Sequence, residues 1–581
     1  MNAVSLCHAI WRPFVDTDGR AQQIVQQNHL SPLLASCLAR LEPPLNPGPD
    51  VDAFLAPSMS QYHDPFLMLH MDKAVQRLQR AIQNHENIRI VTDYDVDGTM
   101  SSLIMQATLR ILGHTQISYH IPHRKIEGYG FSLQAAQAAV QDKISLIVTA
   151  DIGVRDETAI AYAQAHDIDV LVFDHHLPEG TGIPKSAFTV VCPPQDGCHY
   201  PNPHLAACGI SLKLAQALLH AHPKCQDFIR SMSKLAALGT VADVVSLRDQ
   251  ENRAIVATGL HAINHDPNAP GLAALLSVSK IEPGCVDAAK IGFSLGPKIN
   301  AAGRMASANH VIELMNSQNR VKAQGLADQL SMMNDERKNV QEFMVQTALN
   351  AIKDQNSPFL FVALPESDTW QSGIAGIVAG RLREQTNKTV AIGTLCGDDI
   401  VASMRSATHV HAVHALDAVA KHLEKYGGHK AAAGFTFKVQ HLQDVITGIQ
   451  NDIAKQLEGI PEIQEELFIA AMNPDELSIE TFNELQRLEP CGSKNPKPAI
   501  CLTHVSVKFA KLCKNNSIRT IIRAKDCDLI TWIPSYIPIT TTQLTQQPVS
   551  LLGTLELDHY DGIQYTMRVK DVCLESRDDL G

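Results

Sequence analysis

Three aspartates alternate in Asp93-Tyr94-Asp95-Val96-Asp97-Gly98, directly after the apolar run Ile88-Arg89-Ile90-Val91, and Asp174-His175-His176 follows a second such run, Val170-Leu171-Val172-Phe173. Carboxylates gathered at the mouth of a buried sheet repel one another and lose hydration, a costly arrangement unless a cation neutralises it. Asp151 follows a third run, Leu146-Ile147-Val148, and Asp243 stands in the small-residue stretch Ala237-Leu238-Gly239-Thr240-Val241-Ala242. Each aspartate alone reads as a helix cap or a turn residue. Asp93, Asp95, Asp97, Asp151 and Asp174 at one sheet edge, together with two histidines, are explained jointly by a dinuclear site whose carboxylates bridge cations ~3.5–4 Å apart. Mixed oxygen and nitrogen ligation suits Mn²⁺, with Mg²⁺ the rival, whereas zinc would draw on cysteines that these motifs lack. Such a centre points to metal-assisted hydrolysis.

The elements that must hold these residues follow from periodicity. From Met71 the spacing Ala74, Val75, Leu78, Ala81, Ile82 gives one apolar helical face before the first acidic loop. Helices over 99–112, 133–140 and 157–165 alternate with strands over 117–121, 146–148 and 170–173, which predicts a mostly parallel sheet with helices on both faces. Ligands of such sheets bind beyond the carboxyl ends of the strands, where the acidic motifs lie. Helical spacing dominates 206–275, and 311–353 reads as a polar linker helix. A second α/β lobe begins near Phe359 and ends near Leu457, and strands over 499–503, 519–522, 529–533, 549–555 and 563–569 suit a small barrel. Residues 1–60, with the Pro-rich Pro43-Pro44-Leu45-Asn46-Pro47-Gly48-Pro49, read as an N-terminal appendage.

A chain of 581 residues is too long for one core, and 45% hydrophobic with 19% charged residues is an ordinary globular composition. No apolar run approaches the ~20 residues of a membrane span, so a cytoplasmic location without membrane contact is expected. Thirteen scattered cysteines argue against a disulfide framework and a zinc ribbon. The net charge of -12 disfavours a nucleic-acid partner taken alone, yet bound cations would cancel part of it, and Arg and Lys fall within the motifs.

DYDVDG, TADIGV, DHH and ALGTVADVV, in this order, resemble the four motifs of the DHH phosphoesterase superfamily. Downstream, Pro297-Lys298-Ile299-Asn300-Ala301-Ala302-Gly303-Arg304, Ser372-Gly373-Ile374-Ala375-Gly376 and Gly427-Gly428-His429-Lys430 are similar to motifs of the RecJ family, and Glu489-Pro490-Cys491-Gly492 echoes its C-terminal OB-fold. The resemblance covers about residues 65 to 575. It implies an α/β DHH catalytic domain (61–310), a helical linker (311–355), a DHHA1-type substrate-binding domain (356–457) and an OB-fold nucleic-acid-binding domain (458–581). It also implies a single-stranded-DNA-specific 5′-to-3′ exonuclease releasing 5′ mononucleotides in recombination and repair, and leaves room for a single-strand-binding protein and a helicase as partners.

Carried over by motif, the resemblance implies that Asp93, Asp95, Asp97, Asp151, His175 and Asp243 hold two Mn²⁺ or Mg²⁺ ions, with Asp151 as the bridge. Asp174 would orient a neighbour, and His176 would meet the scissile phosphate. Arg124, Ser403 and Arg405 match positions for the DNA 5′ phosphate, which guanidinium groups can grip bidentately, and Asn300, Arg304 and His429 match positions along the substrate path. Gln371 stands where the family usually has histidine, Cys192 where an Asn-Pro pair is usual, and Cys491 where phenylalanine is usual. Two rival readings are a phosphodiesterase for short oligoribonucleotides or cyclic dinucleotides, whose relatives usually lack the barrel, and a noncatalytic replication scaffold, which typically loses ligands that are all present here.

Overall fold

Continuous β-branched runs can be buried on both faces only in a covered parallel sheet, and five short runs form one, in the spatial order Ile117–His120, Ile88–Thr92, Leu146–Ala150, Asp169–Phe173, Thr189–Val191. The computed structural model describes residues 5–7, 9–124, 126–178, 182–352, 357–460, 464–513, 516–558 and 562–575. They fall into two units, one of residues 1–300, 308–328 and 463–581, the other of residues 301–307 and 329–462.

The parallel sheet belongs to the first unit. One face buries Val91, Ile147, Val170 and Val172 against Ala135, Ala136, Ala139, Ile160 and Ala163 of the helices Leu133–Gln141 and Glu157–Gln164. On the other, Ile90 and Val148 meet Leu78, Met105 and Leu214 from the helices Met71–Gln83, Val96–Ile111 and Ala207–Leu218. Thr92 pairs with Ala150 and Ala150 with Phe173, so Asp93, Asp151 and Asp174 leave the three central strands at one level. The helix after the first acidic loop starts three residues before the periodicity suggests, because the Asp95 side chain accepts the Gly98 N–H at 3.1 Å and caps it. The edge strand Thr189–Val191 was not anticipated; three residues are too few for a period to show.

Helices Cys225–Ala242, Gln250–His265 and Pro270–Val278 follow. The C-terminal part forms a seven-stranded sheet in the order Ala470–Met472, Ala499–Val505, Val549–Asp558, Gln564–Leu574, Asp528–Ile533, Ile518–Arg523, Ala510–Leu512. The N-terminal residues pack into it: Ile24, Leu34, Leu38 and Phe54 share a core with Leu477, Ile500, Leu529, Leu551 and Val572. The strand Ala9–Pro13 pairs in parallel with Gln464–Phe468, and Trp11 Nε1 donates to Asp571 Oδ2 at 2.9 Å.

A buried cation joins three segments of this unit. Arg253 is 0% exposed and donates to the carbonyl oxygens of Phe54 (2.7 Å), Leu488 (3.0 Å), Glu489 (2.7 Å) and Pro490 (2.8 Å), with its guanidinium 3.9 Å from the Phe54 ring centre. Burial pulls its pKa down to about 10, which still leaves it charged at neutral pH.

The second unit is built on a sheet in the order Leu423–Gly428, Ala432–Lys438, Asp399–Arg405, Thr389–Cys396, Phe359–Pro365, with only the last pair parallel. Helices Ser372–Thr386 and Leu442–Gln456 cover it. The hairpin between its first two strands turns at Gly428, with φ +150°, where a Cβ would run into the Ala432 carbonyl oxygen, so the second glycine of GGH is a steric requirement. All thirteen cysteines are free. Among the described residues no helix is long and apolar enough to cross a membrane.

Candidate metal centre

Common register brings Asp93 and Asp151 together, and capping adds the rest. Asp151 takes a left-handed backbone (φ 65°), which turns its carboxylate back over the strand ends to within 3.1 Å of His175 Nε2. Asp97 is 1% exposed; its carboxylate accepts the backbone N–H groups of Ala207 (2.7 Å) and Cys208 (2.8 Å) at the start of the helix Ala207–Leu218. Its Oδ2 still lies 3.8 Å from His175 Nε2, and Asp243 Oδ2 lies equally close to that nitrogen. Three trios have ligand atoms within 4.8 Å of one another: Asp93, Asp95 and Asp151; Asp97, His175 and Asp243; Asp151, His175 and His176. Two pockets of donors therefore meet at Asp151 and His175.

The donor set fits divalent cations. Asp93 Oδ1 is buried with no hydrogen-bond partner among the described residues, an expensive state for a carboxylate oxygen unless a cation lies against it. Burial, then the neighbouring carboxylates, raises the pKa of Asp93 (chiefly Asp95), of Asp95 (chiefly Asp97) and of Asp151 (Asp97, Asp95, Asp93 and Asp243), and pushes Asp243 up to about 8. Burial would lower His175, but Asp243 and Asp97 outweigh it and raise the imidazole. A cluster this crowded holds its negative charge at neutral pH only when cations share it.

Asp174 has a different job. Its Oδ1 accepts the backbone N–H groups of His175 (2.8 Å) and His176 (3.1 Å) and the His176 Nδ1–H (2.8 Å), and its Oδ2 accepts the Val154 N–H (3.0 Å). Burial works against its charge, but the His176 hydrogen bond prevails and holds the carboxyl below its usual range. With Nδ1 anchored, His176 presents Nε2, 3.2 Å from the Tyr129 hydroxyl, which also donates to the Asp151 carbonyl at 3.1 Å. Tyr129 was not among the residues singled out from sequence; its only sequence signal is its place in Glu127-Gly128-Tyr129-Gly130, in the loop already marked by Arg124. Arg124 stacks 5.2 Å from the Tyr94 ring, and Asn300 Oδ1 accepts the Val96 N–H at 3.1 Å, tying its helix to the acidic loop. Cys192 packs beneath the histidines, with Sγ 3.4 Å from the His176 carbonyl oxygen.

Gly98 packs so closely on the acidic loop that a Cβ would meet the Asp93 carbonyl oxygen. Gly98→Ala is therefore expected to displace Asp93 and weaken Mn²⁺ binding by about 10- to 100-fold, the scale of a disturbed ligand support, as calorimetric titration would show.

Arg304, Ser403, Arg405 and His429 belong to the second unit, and its own contacts link them. Arg304 Nη1 donates to the Gly373 carbonyl at 2.9 Å, and the Arg405 guanidinium lies against Gly376 one turn further along the same helix. Ser403 pairs with Gly434 and Arg405 with Ala432, so both stand beside the hairpin that carries exposed His429. Gln371 caps the helix Ser372–Thr386 by position, without a side-chain hydrogen bond to it.

Three family models match the chain: the DHH family N-terminal domain over residues 87–240, the DHHA1 domain over 356–455 and the RecJ OB domain over 470–571. A RecJ single-stranded-DNA-specific exonuclease of Bacillus subtilis is 32% identical over 511 residues, 87% of this chain, of which the chain spans 62%. Its Haemophilus influenzae counterpart is 31% identical over 458 residues, 75% of this chain and 78% of the relative. The fold is that of Thermus thermophilus RecJ crystallised with Mn²⁺ (TM-score 0.77, 23% identity, 97% of this chain and 80% of that one). A manganese-bound exonuclease RecJ structure is 27% identical with a TM-score of 0.57, over 68% of this chain and 97% of that one. The acidic strand ends, their histidines, the three domain matches in order and the length shared with the Haemophilus relative agree, and the chain belongs to the RecJ family.

Proposed function

We propose that the chain is a metal-dependent exodeoxyribonuclease that degrades single-stranded DNA from the 5′ end and releases 5′ mononucleotides in recombination and repair. The observation that carries this reading is the pair of donor trios, Asp93-Asp95-Asp151 and Asp97-His175-Asp243, meeting at Asp151 and His175. Each trio would hold one ion, Mn²⁺ or Mg²⁺, and the bound pair would supply an activated water and neutralise the phosphoryl oxygens. Asp174 fixes the His176 ring through Nδ1, so that Nε2 meets the phosphodiester. Asp97 ties the centre to the helix Ala207–Leu218, which keeps the carboxylates in place as charge develops. Arg124 and Asn300 flank the acidic loop as substrate contacts.

In the second unit, Arg304 and Arg405 converge on the amino-terminal turns of the helix Ser372–Thr386, where the helix dipole and two guanidinium groups favour a terminal phosphate. Ser403 and His429 stand beside them. Contacts of this kind read backbone and strand end rather than base identity, which suits an aromatic content of only 5%. Single-strand-binding protein and a helicase are natural partners for an enzyme that needs an unwound end.

The test is Mn²⁺-dependent digestion of a 5′-labelled single strand beside a blunt hairpin, a dinucleotide and a cyclic dinucleotide. Mononucleotides from the single strand alone are expected; cleavage confined to the dinucleotides would overturn the reading. Arg405→Ala is expected to raise KM for a 5′-phosphorylated strand by about 10- to 100-fold, the worth of one lost charge-assisted hydrogen bond, with a smaller change for a 5′-hydroxyl strand. Steady-state kinetics on the two strands measures it.

A further inference from the structure

The hydrolytic reading leaves one cluster of ligand-type side chains in the second unit idle. His422, His441 and Asp444 each bring a ligand atom within 4.8 Å of the other two. They come from the open end of a single hairpin. His422 ends the turn Ala420–His422, directly before the strand Leu423–Gly428; His441 ends the turn Val439–His441, directly after Ala432–Lys438; Asp444 lies in the first turn of the helix Leu442–Gln456. The two imidazole rings are 5.1 Å apart and inclined at 45°. Both histidines are half-buried and Asp444 is exposed, so the three donors are rooted in the fold yet reachable from solvent.

Among the described residues the side chains of His422 and Asp444 make no hydrogen bond or ion pair, and His441 meets only Gln440 at 3.4 Å. The neighbouring pair His411 and His414 differs: its rings stack 3.8 Å apart, and His411 Nδ1 accepts the His414 N–H at 3.4 Å. That leaves it with one nitrogen engaged, and among the described residues no third donor joins it within ligand distance.

We propose that His422, His441 and Asp444 form a second kind of cation site, for Zn²⁺, which fastens the base of the hairpin that carries Gly427, Gly428 and His429. Two imidazole nitrogens and one carboxylate oxygen, with positions left for water, are a nitrogen-rich set that zinc takes without cysteine, whereas Mn²⁺ and Mg²⁺ favour the first unit's centre, where carboxylate oxygens outnumber imidazole nitrogens. The hairpin needs such a fastening. Its first strand is the sheet's edge, exposed at five of six positions, and its pairing with the second strand shifts register between Leu423 and Lys425, at the base. A cation joining residues 422 and 441 closes that end and narrows the positions His429 can take at the other.

The test titrates Zn²⁺ calorimetrically into the full chain carrying Asp151→Asn and His175→Gln, which disable the first centre. One site of micromolar or tighter affinity is expected, with amide exchange across residues 423–438 slowed at least about tenfold on binding. Adding His422→Gln or His441→Gln abolishes both effects, Asp444→Asn weakens binding by about tenfold or more, and His414→Gln leaves both in place. A site that survives His422→Gln and His441→Gln, or a hairpin whose exchange Zn²⁺ does not change, overturns the proposal.

Discussion

Asp151→Asn is expected to cut Mn²⁺-dependent nucleotide release by at least about 10³-fold, the scale of losing one group that organises transition-state charge, while raising the melting temperature of the chelator-treated protein. The two effects share a cause. Asp151 is 3% exposed, its backbone is left-handed, and Asp97, Asp95, Asp93 and Asp243 press on its charge. A neutral amide of the same shape relieves that repulsion but cannot bridge two donor trios. Single-turnover digestion and calorimetric melting with and without Mn²⁺ measure both signs. A variant as active as the parent, or less stable than it in chelator, contradicts the placement of Asp151 at the junction.

The pH dependence follows from the same shifts. A carboxyl whose pKa is raised by folding binds protons in the native state when the unfolded chain has released them, so its contribution to stability is present at acidic pH and is lost as pH rises through the folded value. Asp93, Asp95, Asp151 and Asp243 are all raised, Asp243 to about 8, and His175, also raised, acts in the same direction. Asp174 has the opposite sign and matters only in acid, below the ordinary carboxylate range. The metal-free protein should therefore lose stability from about pH 5 to about pH 8, while Mn²⁺, which competes with those protons, binds more tightly over the same range. The gap between melting temperatures with Mn²⁺ and with chelator widens as pH rises.

The second large effect is structural. Arg253→Met is expected to destabilise the first unit by about 3–5 kcal/mol, because it removes the charged donor shared by four carbonyl oxygens and leaves Asn495 Nδ2 to serve only those of Leu488 and Pro490. Those oxygens belong to Phe54 in the helix Pro49–Leu55 and to Leu488, Glu489 and Pro490 between the strands Ala470–Met472 and Ala499–Val505, so with the helix of Arg253 itself three segments lose a common anchor. Urea unfolding followed by tryptophan fluorescence should show an earlier transition, with Trp11 and Trp532 reporting the loosened part. A midpoint unchanged by the substitution would mean that water and Asn495 satisfy the acceptors without the guanidinium.

The catalytic sheet was legible because its strands are continuous apolar runs and its acidic residues follow them at once. Strand register then does the assembling, placing Asp93 and Asp151 side by side without further information. Asp243 was legible for a different reason, a carboxylate among small apolar residues. The partners of Asp97 were not, since Ala207 and Cys208 lie more than a hundred residues away, whereas the cap that Asp95 makes on Gly98 is local. The role of Tyr129 and the trio of His422, His441 and Asp444 depend on where loops end in space, and no spacing along the chain encodes that. Arg253 was equally hidden: in the sequence it is one basic residue in an amphipathic helix, and only burial reveals it.

The union of Ile24, Leu34, Leu38 and Phe54 with Leu477, Leu529, Leu551 and Val572 sets a timetable. The two halves of this core leave the ribosome about 400 residues apart, a delay of roughly 20–80 s at the usual rate of synthesis. Through that interval the early helices must keep their apolar faces out of wrong company, while the catalytic sheet, made of nearby segments, can already close. Nascent chains stalled before residue 464 should therefore carry a formed acidic centre together with a leading segment that chaperones recognise and proteases cut, and release of the last hundred residues should end that exposure.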